Sequence, residues 1–259
     1  MNILVLGGEG MAGWVIASYL SKKYKVSVTT RKELDIEKNL DLPQGFDYVI
    51  NCIGLLLDSA KTNPAKTMYV NSYFPKYLEY FYRDTDTRVI HISTDCVFNG
   101  IKGNYIESDF PDEIGVYGLS KALGEINNDK DLTLRVSIIG PEIRPHSKRS
   151  GLLNWLLTTK ESEINGWVNT YWNGITTLEL AKCIDQYIQN PIISGIYHPT
   201  NEAITKYSLL IKINSVYNLN KIVHETRNEK TINKILVNTK RFFKVASYDQ
   251  QLKELKEYI

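Results

Sequence analysis

The feature that most limits what this chain can fold into is the alternation of short apolar runs with stretches of helical period. Residues 3–6, 26–29, 48–53, 89–93 and 132–136 are rich in Val, Ile and Leu, and Gly or polar residues bound several of them. Between them lie segments such as 14–22 and 68–82, whose apolar residues recur at helical spacing. Strands alternating with helices predict a parallel sheet with crossover helices on both faces. The run Ile3-Leu4-Val5-Leu6 is apolar at every position, as expected of a strand buried on both faces. The expected class is α/β, a doubly wound parallel sheet.

After residue 140 the rhythm changes. Pro141, Arg144, Pro145, His146, Ser147, Lys148, Arg149 and Ser150 make a polar loop, followed by helix candidates at 152–158, 178–189, 207–217 and 250–258. This half reads as a smaller lobe over the carboxyl edge of the sheet, where open α/β sheets bind their ligands. The expected division is a dinucleotide-binding Rossmann domain over 1–145 and a mainly substrate-binding lobe over 146–259. A segment near 167–195 is expected to return to the first domain.

Composition narrows the function classes. Hydrophobic content of 43% and charged content of 23% are ordinary for a globular chain, which argues against wholesale disorder. Lys plus Arg number 31 against 29 Asp plus Glu, so no nucleic-acid partner is expected. Cys52, Cys96 and Cys183 form no CxxC, and the four histidines form no HExxH, so neither a zinc site nor a disulfide framework is indicated. The apolar start meets Gly7-Gly8 too early for a signal-peptide core, and the longest greasy run, 49–57, is broken by Asn51. A reduced, cytoplasmic protein with no membrane attachment is the expectation.

Gly7-Gly8-Glu9-Gly10-Met11-Ala12-Gly13 follows the first strand and opens the first helix. Glycines there allow a tight turn, and the helix N-terminus that follows suits a pyrophosphate. A plain strand–helix turn has the same composition, but the place in the chain favours a nucleotide. The second strand ends Thr29-Thr30-Arg31-Lys32, without the acid that holds ribose hydroxyls in NAD-binding versions. Arg31 is suited to a 2′-phosphate instead, unless it and Lys32 are simply solvated. NADPH is the expected cofactor, with NADH as the alternative.

Tyr117-Gly-Leu-Ser-Lys121 places a phenol and an ammonium on one face of a helix. The spacing alone is weak evidence, since Tyr19/Lys23 and Tyr217/Lys221 repeat it among 17 tyrosines. Context separates them: Tyr117 follows a strand ending His91-Ile-Ser93-Thr94-Asp95, which brings hydroxyls to the carboxyl edge of the sheet. A lysine near a phenol is expected to lower its pKa, and a hydroxyl nearby to bind a carbonyl oxygen. Together they would protonate an oxygen that has just received a hydride.

The runs 93–100, Tyr105-Ile-Glu107-Ser-Asp109 and 117–125 resemble the dTDP-4-dehydrorhamnose reductase family of extended short-chain dehydrogenase/reductases, enzymes of sugar nucleotides. The resemblance extends to 7–13, Leu34-Asp35-Ile36, Asn51-Cys52-Ile53-Gly54, Asn71 and Gly195-Ile-Tyr197-His198. It implies that Thr94 binds the keto oxygen, that Tyr117 is the general acid, and that Lys121 holds the nicotinamide ribose. Gly7, Gly10, Met11, Ala12 and Gly13 would cradle the pyrophosphate, and Asp35 and Ile36 would flank the adenine. Cys52, Ile53 and Gly54 would line the cofactor channel, Asp95 would contact the sugar, and a homodimer is implied. The implied reaction is reduction of the C4 keto group of a nucleoside-diphospho-4-keto-6-deoxy sugar for surface-polysaccharide precursors.

Three departures bear on the reaction. Related dehydratases place Glu where this chain has Cys96, so dehydration is not expected. GDP-fucose synthases have a cysteine there and use it to epimerise, but their partner histidine falls near Gly151, with His146 close in sequence. Cys96 is thus either a small buried residue or the base of a bifunctional 3,5-epimerase/4-reductase. The 135–141, 151–155 and 167–174 stretches also depart from the family's substrate loops. Their Trp155, Trp167 and Trp172 are expected in the core sooner than in stacking. Arg144, Lys148 and Arg149 would either hold a diphosphate or be solvated. A non-catalytic NADP-binding subunit is the rival from another class.

Overall fold

The computed structural model describes residues 1–142 and 151–259. The first half runs β1 (Asn2–Leu6), α1 (Gly13–Leu20), β2 (Lys25–Thr29), β3 (Tyr48–Asn51), α2 (Leu57–Thr62), α3 (Pro64–Met68), a π-helical turn (Tyr69–Tyr73) and α4 (Phe74–Tyr82). It continues with β4 (Arg88–Thr94), a 3₁₀ turn (Asp95–Val97), α5 (Val116–Gly124), β5 (Leu132–Val136) and β6 (Ile138–Ile139). After it come α6 (Leu152–Thr158), β7 (Glu163–Trp167), β8 (Thr170–Trp172), β9 (Ile175–Thr176), α7 (Thr177–Gln189) and β10 (Gly195–Tyr197). The chain ends with β11 (Ile204–Thr205), α8 (Lys206–Tyr217), β12 (Ile222–Thr226), β13 (Ile232–Asn233) and α9 (Tyr248–Tyr258).

Six strands form the central sheet in the order β10-β5-β4-β3-β1-β2, every pair parallel. The order reverses at β1, so the glycine turn after β1 and the end of β4 share the sheet's carboxyl edge beside that reversal. The doubly wound α/β fold is as expected. Ile3 and Val5 face one apolar cluster with α1 and α7, whereas Leu4 and Leu6 face another with α4. That division explains why β1 is apolar at every position.

Two expected elements differ in detail. The strand expected over 48–53 ends at Asn51, whose side-chain oxygen accepts from Ile53 N at 3.1 Å and turns the chain. The helix expected over 68–82 begins earlier, at Pro64, and carries the π turn. A third cluster unites α6, α8, α9 and β7 with Val15 of α1, so the lobe packs directly on the sheet's helices. The stretch 177–197 lies on the central sheet: α7 packs beside α1, and β10 extends the sheet next to β5. The expected boundary at 145/146 falls outside the described residues.

One charged arrangement sits inside this fold. Arg135 on β5 donates from Nε and Nη2 to the two carboxylate oxygens of Glu125, each at 2.7 Å, with both side chains buried. Ser93 Oγ on β4 donates to Glu125 Oε1 at 2.8 Å, and the guanidinium lies over the Phe98 ring. Arg135 is therefore structural, not part of a substrate loop. Arg135→Met leaves the carboxylate buried without its cation and should cost about 3–5 kcal/mol. The double variant Glu125→Met/Arg135→Met should cost much less. Urea unfolding of both variants checks this, and equal losses would contradict it.

Candidate active site

Three elements meet at the carboxyl end of β4. Thr94 ends the strand and caps the 3₁₀ turn, its Oγ1 accepting from Cys96 N at 3.1 Å and donating to Asp95 Oδ1 at 3.0 Å. Helix α5 lies against that turn because Gly118 has no side chain: a Cβ there would stand 2.2 Å from the Cys96 carbonyl oxygen. At its other end Gly124 packs on the π turn, where a Cβ would meet Asn71 O at 2.0 Å. These contacts set Tyr117 and Lys121 beside β4.

Burial raises the Tyr117 pKa, Cys96 and Asp95 push it further, and contact with the Thr94 hydroxyl only partly opposes them. The expectation that Lys121 lowers this pKa is corrected. The Lys121 ammonium donates to Ile92 O at 2.7 Å, and burial draws its own pKa down to about 8, with the Glu125 carboxylate opposing. A phenol with a raised pKa stays protonated at neutral pH, as a proton donor must. The Cys96 thiol is pushed up to about 12, first by burial and then by Asp95, with Lys234 opposing. In this state it is a protonated thiol and not a ready base.

The expected cofactor positions line the neighbouring edge. Gly7 adopts a left-handed φ of 78°, and its carbonyl comes so close to α1 that a Cβ on Gly13 would stand 2.3 Å from it. Gly10 N donates to Gly7 O at 3.0 Å and closes the turn, and Met11 and Ala12 follow into α1. Ile53 packs on Gly7, and Gly54 faces the Lys121 ammonium and the Asn71 amide. Asn71 fixes that loop from both sides, exchanging hydrogen bonds with Leu55 N and O and reaching Ser120 Oγ at 3.2 Å. Burial pushes the Cys52 thiol up to about 12, and Lys121 lies near enough to oppose that rise. At the tip of β2 the buried Thr29 hydroxyl has no partner among the described residues. A close-wrapped glycine turn, an orphaned hydroxyl and a buried ammonium along one edge fit a dinucleotide.

The adenine end is less simple than expected. Arg31 is exposed and pairs with Glu37 at 2.8 Å and Asp35 at 3.6 Å, and Lys66 also pairs with Glu37. Ile36 turns its side chain into the core, leaving Asp35 at the rim. Trp172 is buried and stacks on Tyr248, whereas Trp155 and Trp167 are partly exposed, against the expectation of core positions. His146, Arg144, Lys148 and Arg149 lie outside the described residues. Among the described residues no group of side chains is arranged to hold a metal ion, and no helix is long and apolar enough to cross a membrane. The sequence reading missed Lys206, whose ammonium lies over the Trp172 ring and feels the charge of Asp95. Only its position in the folded lobe reveals it.

Comparison with known proteins adds three likenesses and a family. The profile described as the RmlD substrate binding domain matches residues 1–235. A dTDP-4-dehydrorhamnose reductase of Burkholderia thailandensis is 27% identical over 225 residues, covering 80% of this chain and 75% of that protein. The methionine adenosyltransferase 2 subunit beta of Xenopus tropicalis is 28% identical over 142 residues, 51% of this chain and 42% of its own. The crystal structure of a Bacillus anthracis dTDP-4-dehydrorhamnose reductase in complex with NADP superposes with a TM-score of 0.83 at 19% identity. That superposition covers 100% of this chain and 99% of the other.

The buried Lys121 ammonium has a cost that pH reveals. Its folded pKa, about 8, lies below its ordinary 10.5, so below pH 8 the full cost of burying the charge is present. Stability should rise as pH climbs from 8 to 10.5, where the unfolded chain still binds a proton that the folded chain has released. Lys121→Met should therefore stabilise the protein by about 1–3 kcal/mol at pH 7, an advantage that shrinks as pH rises from 8 to 10.5. Thermal unfolding across that range measures it, and a variant less stable at pH 7 would contradict it.

Proposed function

The chain belongs to the family of the RmlD substrate binding domain, and on that premise we propose that it is an NADPH-dependent reductase of the C4 keto group of a nucleoside-diphospho-4-keto-6-deoxy sugar. The observation that carries the reading is the convergence of Thr94, Tyr117 and Lys121 at the end of β4 beside the glycine turn. Among its relatives, the Burkholderia thailandensis protein named dTDP-4-dehydrorhamnose reductase supports the substrate class. The NADP in the Bacillus anthracis structure agrees with the nucleotide edge described above. The first 145 residues are assigned to the cofactor and most of the remainder to the sugar nucleotide.

Gly7, Gly10, Met11, Ala12 and Gly13 would hold the pyrophosphate, and Cys52, Ile53 and Gly54 the channel toward the nicotinamide. Lys121 would hold the nicotinamide ribose, its ammonium kept in place by Ile92 O. Reduced nicotinamide supplies the hydride when bound. Thr94 Oγ1 turns its one proton from Asp95 to the keto oxygen and so fixes the carbonyl. Tyr117, protonated because burial raises its pKa, gives its proton to the alkoxide as charge develops there. The raised pKa keeps the phenol protonated until an alkoxide forms, and it brings donor and acceptor closer in pKa, so the transfer is more nearly balanced. Cys96, held protonated, takes no proton in this scheme. A purely regulatory subunit has no need of a donor so placed.

Tyr117→Phe should lower turnover by about 10²–10⁴-fold while leaving NADPH binding largely intact. Loss of NADPH absorbance with dTDP-, UDP- and GDP-linked 4-keto-6-deoxy sugars is the assay, with cofactor titration alongside. Turnover at the wild-type rate by that variant would overturn the assignment of Tyr117. Arg31 is the proposed holder of the 2′-phosphate, and Glu37 competes with that phosphate for its guanidinium. Glu37→Gln should raise the preference for NADPH over NADH several-fold, more at low salt than at high salt. An unchanged preference would remove Arg31 from the phosphate site.

A further inference from the structure

Lys206 is the first residue of α8, and its backbone is held by the cap before it. Thr205 Oγ1 accepts from Ser208 N at 3.0 Å, which locks the opening turn of the helix. The ammonium stands over the Trp172 ring, 5.0 Å from its centroid. That ring is itself fixed, buried in the lobe with its indole N–H donating to Ser137 Oγ at 2.8 Å. Ser137 follows Val136, the register partner of Thr94, so the ring and the ammonium over it lie toward the end of β4, where the ammonium feels the charge of Asp95. Among the described residues it donates no hydrogen bond and pairs with no carboxylate within ion-pair distance. A half-buried ammonium with its donors unspent carries a desolvation cost that something bound in the cleft would offset.

Asp95 supplies the complementary group. Its Oδ1 accepts the Thr94 proton in the structure described here, and becomes available when Thr94 turns to a keto oxygen. The end of β4 then presents an acceptor and, from the lobe above it, a cationic donor, both toward the carbonyl position. A hydroxyl satisfies both, donating to the carboxylate and accepting from the ammonium. A keto oxygen serves only the lysine, and a methyl or methylene serves neither.

We propose that Lys206 and Asp95 together read the hydroxyl adjacent to the keto carbon of the sugar, and that Lys206 is a specificity-determining residue for this substrate. The inference rests on the reductase reading above. In a 4-keto-6-deoxyhexose the C5 neighbour carries the methyl group, so the hydroxyl read is that on C3. The enzyme is thereby selective for sugars that keep this hydroxyl over 3,6-dideoxy sugars. A site built for a hydroxyl penalises an analogue lacking it, because the half-buried charges are left facing carbon.

The test is calorimetric binding to the full-length, NADP⁺-loaded protein, with turnover of the 4-keto sugars measured in parallel. The probes are nucleoside-diphospho-6-deoxyhexoses linked to dTDP, UDP or GDP, their 3-deoxy counterparts, and the free nucleoside diphosphates. Wild type should bind the hydroxylated sugar about 10–100-fold tighter than the 3-deoxy one. Lys206→Met should bind the two almost equally, Lys206→Arg should restore most of the difference, and free nucleoside diphosphate should bind all three proteins alike. A Lys206→Met protein that keeps the wild-type discrimination would overturn the proposal, as would a wild type that shows none. If wild type binds these sugars but reduces no 4-keto sugar, the reductase reading fails and the binding ratios still decide the role of Lys206. A wild type that binds none of them overturns both.

Discussion

The buried pair between Arg135 and Glu125 is the contact on which the rest of the site depends. It joins β5 to the residue just beyond α5, and through Ser93 it joins both to β4. Arg135 also donates to Glu107 O at 3.3 Å, and the Glu107 carboxylate in turn accepts from Thr239 N and Oγ1. One guanidinium thus ties two central strands, the end of α5 and the C-terminal segment to a common point. A pair of this kind adds little net stability over an apolar replacement, but any partner moved out of register leaves a buried charge unpaired. That is a strong constraint on geometry, one residue away from Thr94.

Close approach without side chains does the remaining positioning. Gly118 lets α5 rest on the carbonyl of Cys96, and Gly124 lets it rest on the π turn at Asn71. The π turn has its own consequence, because it lies where Asn71 binds Leu55 on one side and Ser120 on the other. The loop after β3 and helix α5 are therefore held by the same side chain. Displacement of one is transmitted to the other through two or three hydrogen bonds, with no water needed between them.

The electrostatics follow from burial more than from pairing. Tyr117 is driven toward its neutral form and Lys121 toward its own, and in each case desolvation is the largest cause. A site that strips water from a phenol and an ammonium keeps the proton on the phenol until an alkoxide stronger as a base appears. The stability given up in burying Lys121 is the counterpart of that arrangement.

Much of this was legible in the sequence, for definite reasons. Apolar runs such as Ile3–Leu6 identify buried parallel strands because both faces must be covered, and a glycine-rich turn behind the first of them identifies a place for a phosphate. The Tyr117–Lys121 spacing became informative through its place after the strand ending at Thr94, since chain order and sheet topology together decide which edge a residue occupies. What the sequence could not contain were relations between residues distant along the chain. The sequence suits Arg31 to a phosphate, whereas the fold sets Glu37 and Asp35 beside it, and it puts Arg135 in a substrate-loop stretch, whereas the fold pairs it with Glu125. The effect of Lys121 on Tyr117 was misjudged because spacing carries no information about burial. Lys206 belongs to a helix more than a hundred residues from Asp95 in sequence, and no pattern along the chain predicts that the lobe folds it over Trp172 into the cleft. Local periodicity and turn chemistry are properties of neighbours in sequence. Desolvation and charge pairing are properties of neighbours in space, and only the tertiary structure decides them.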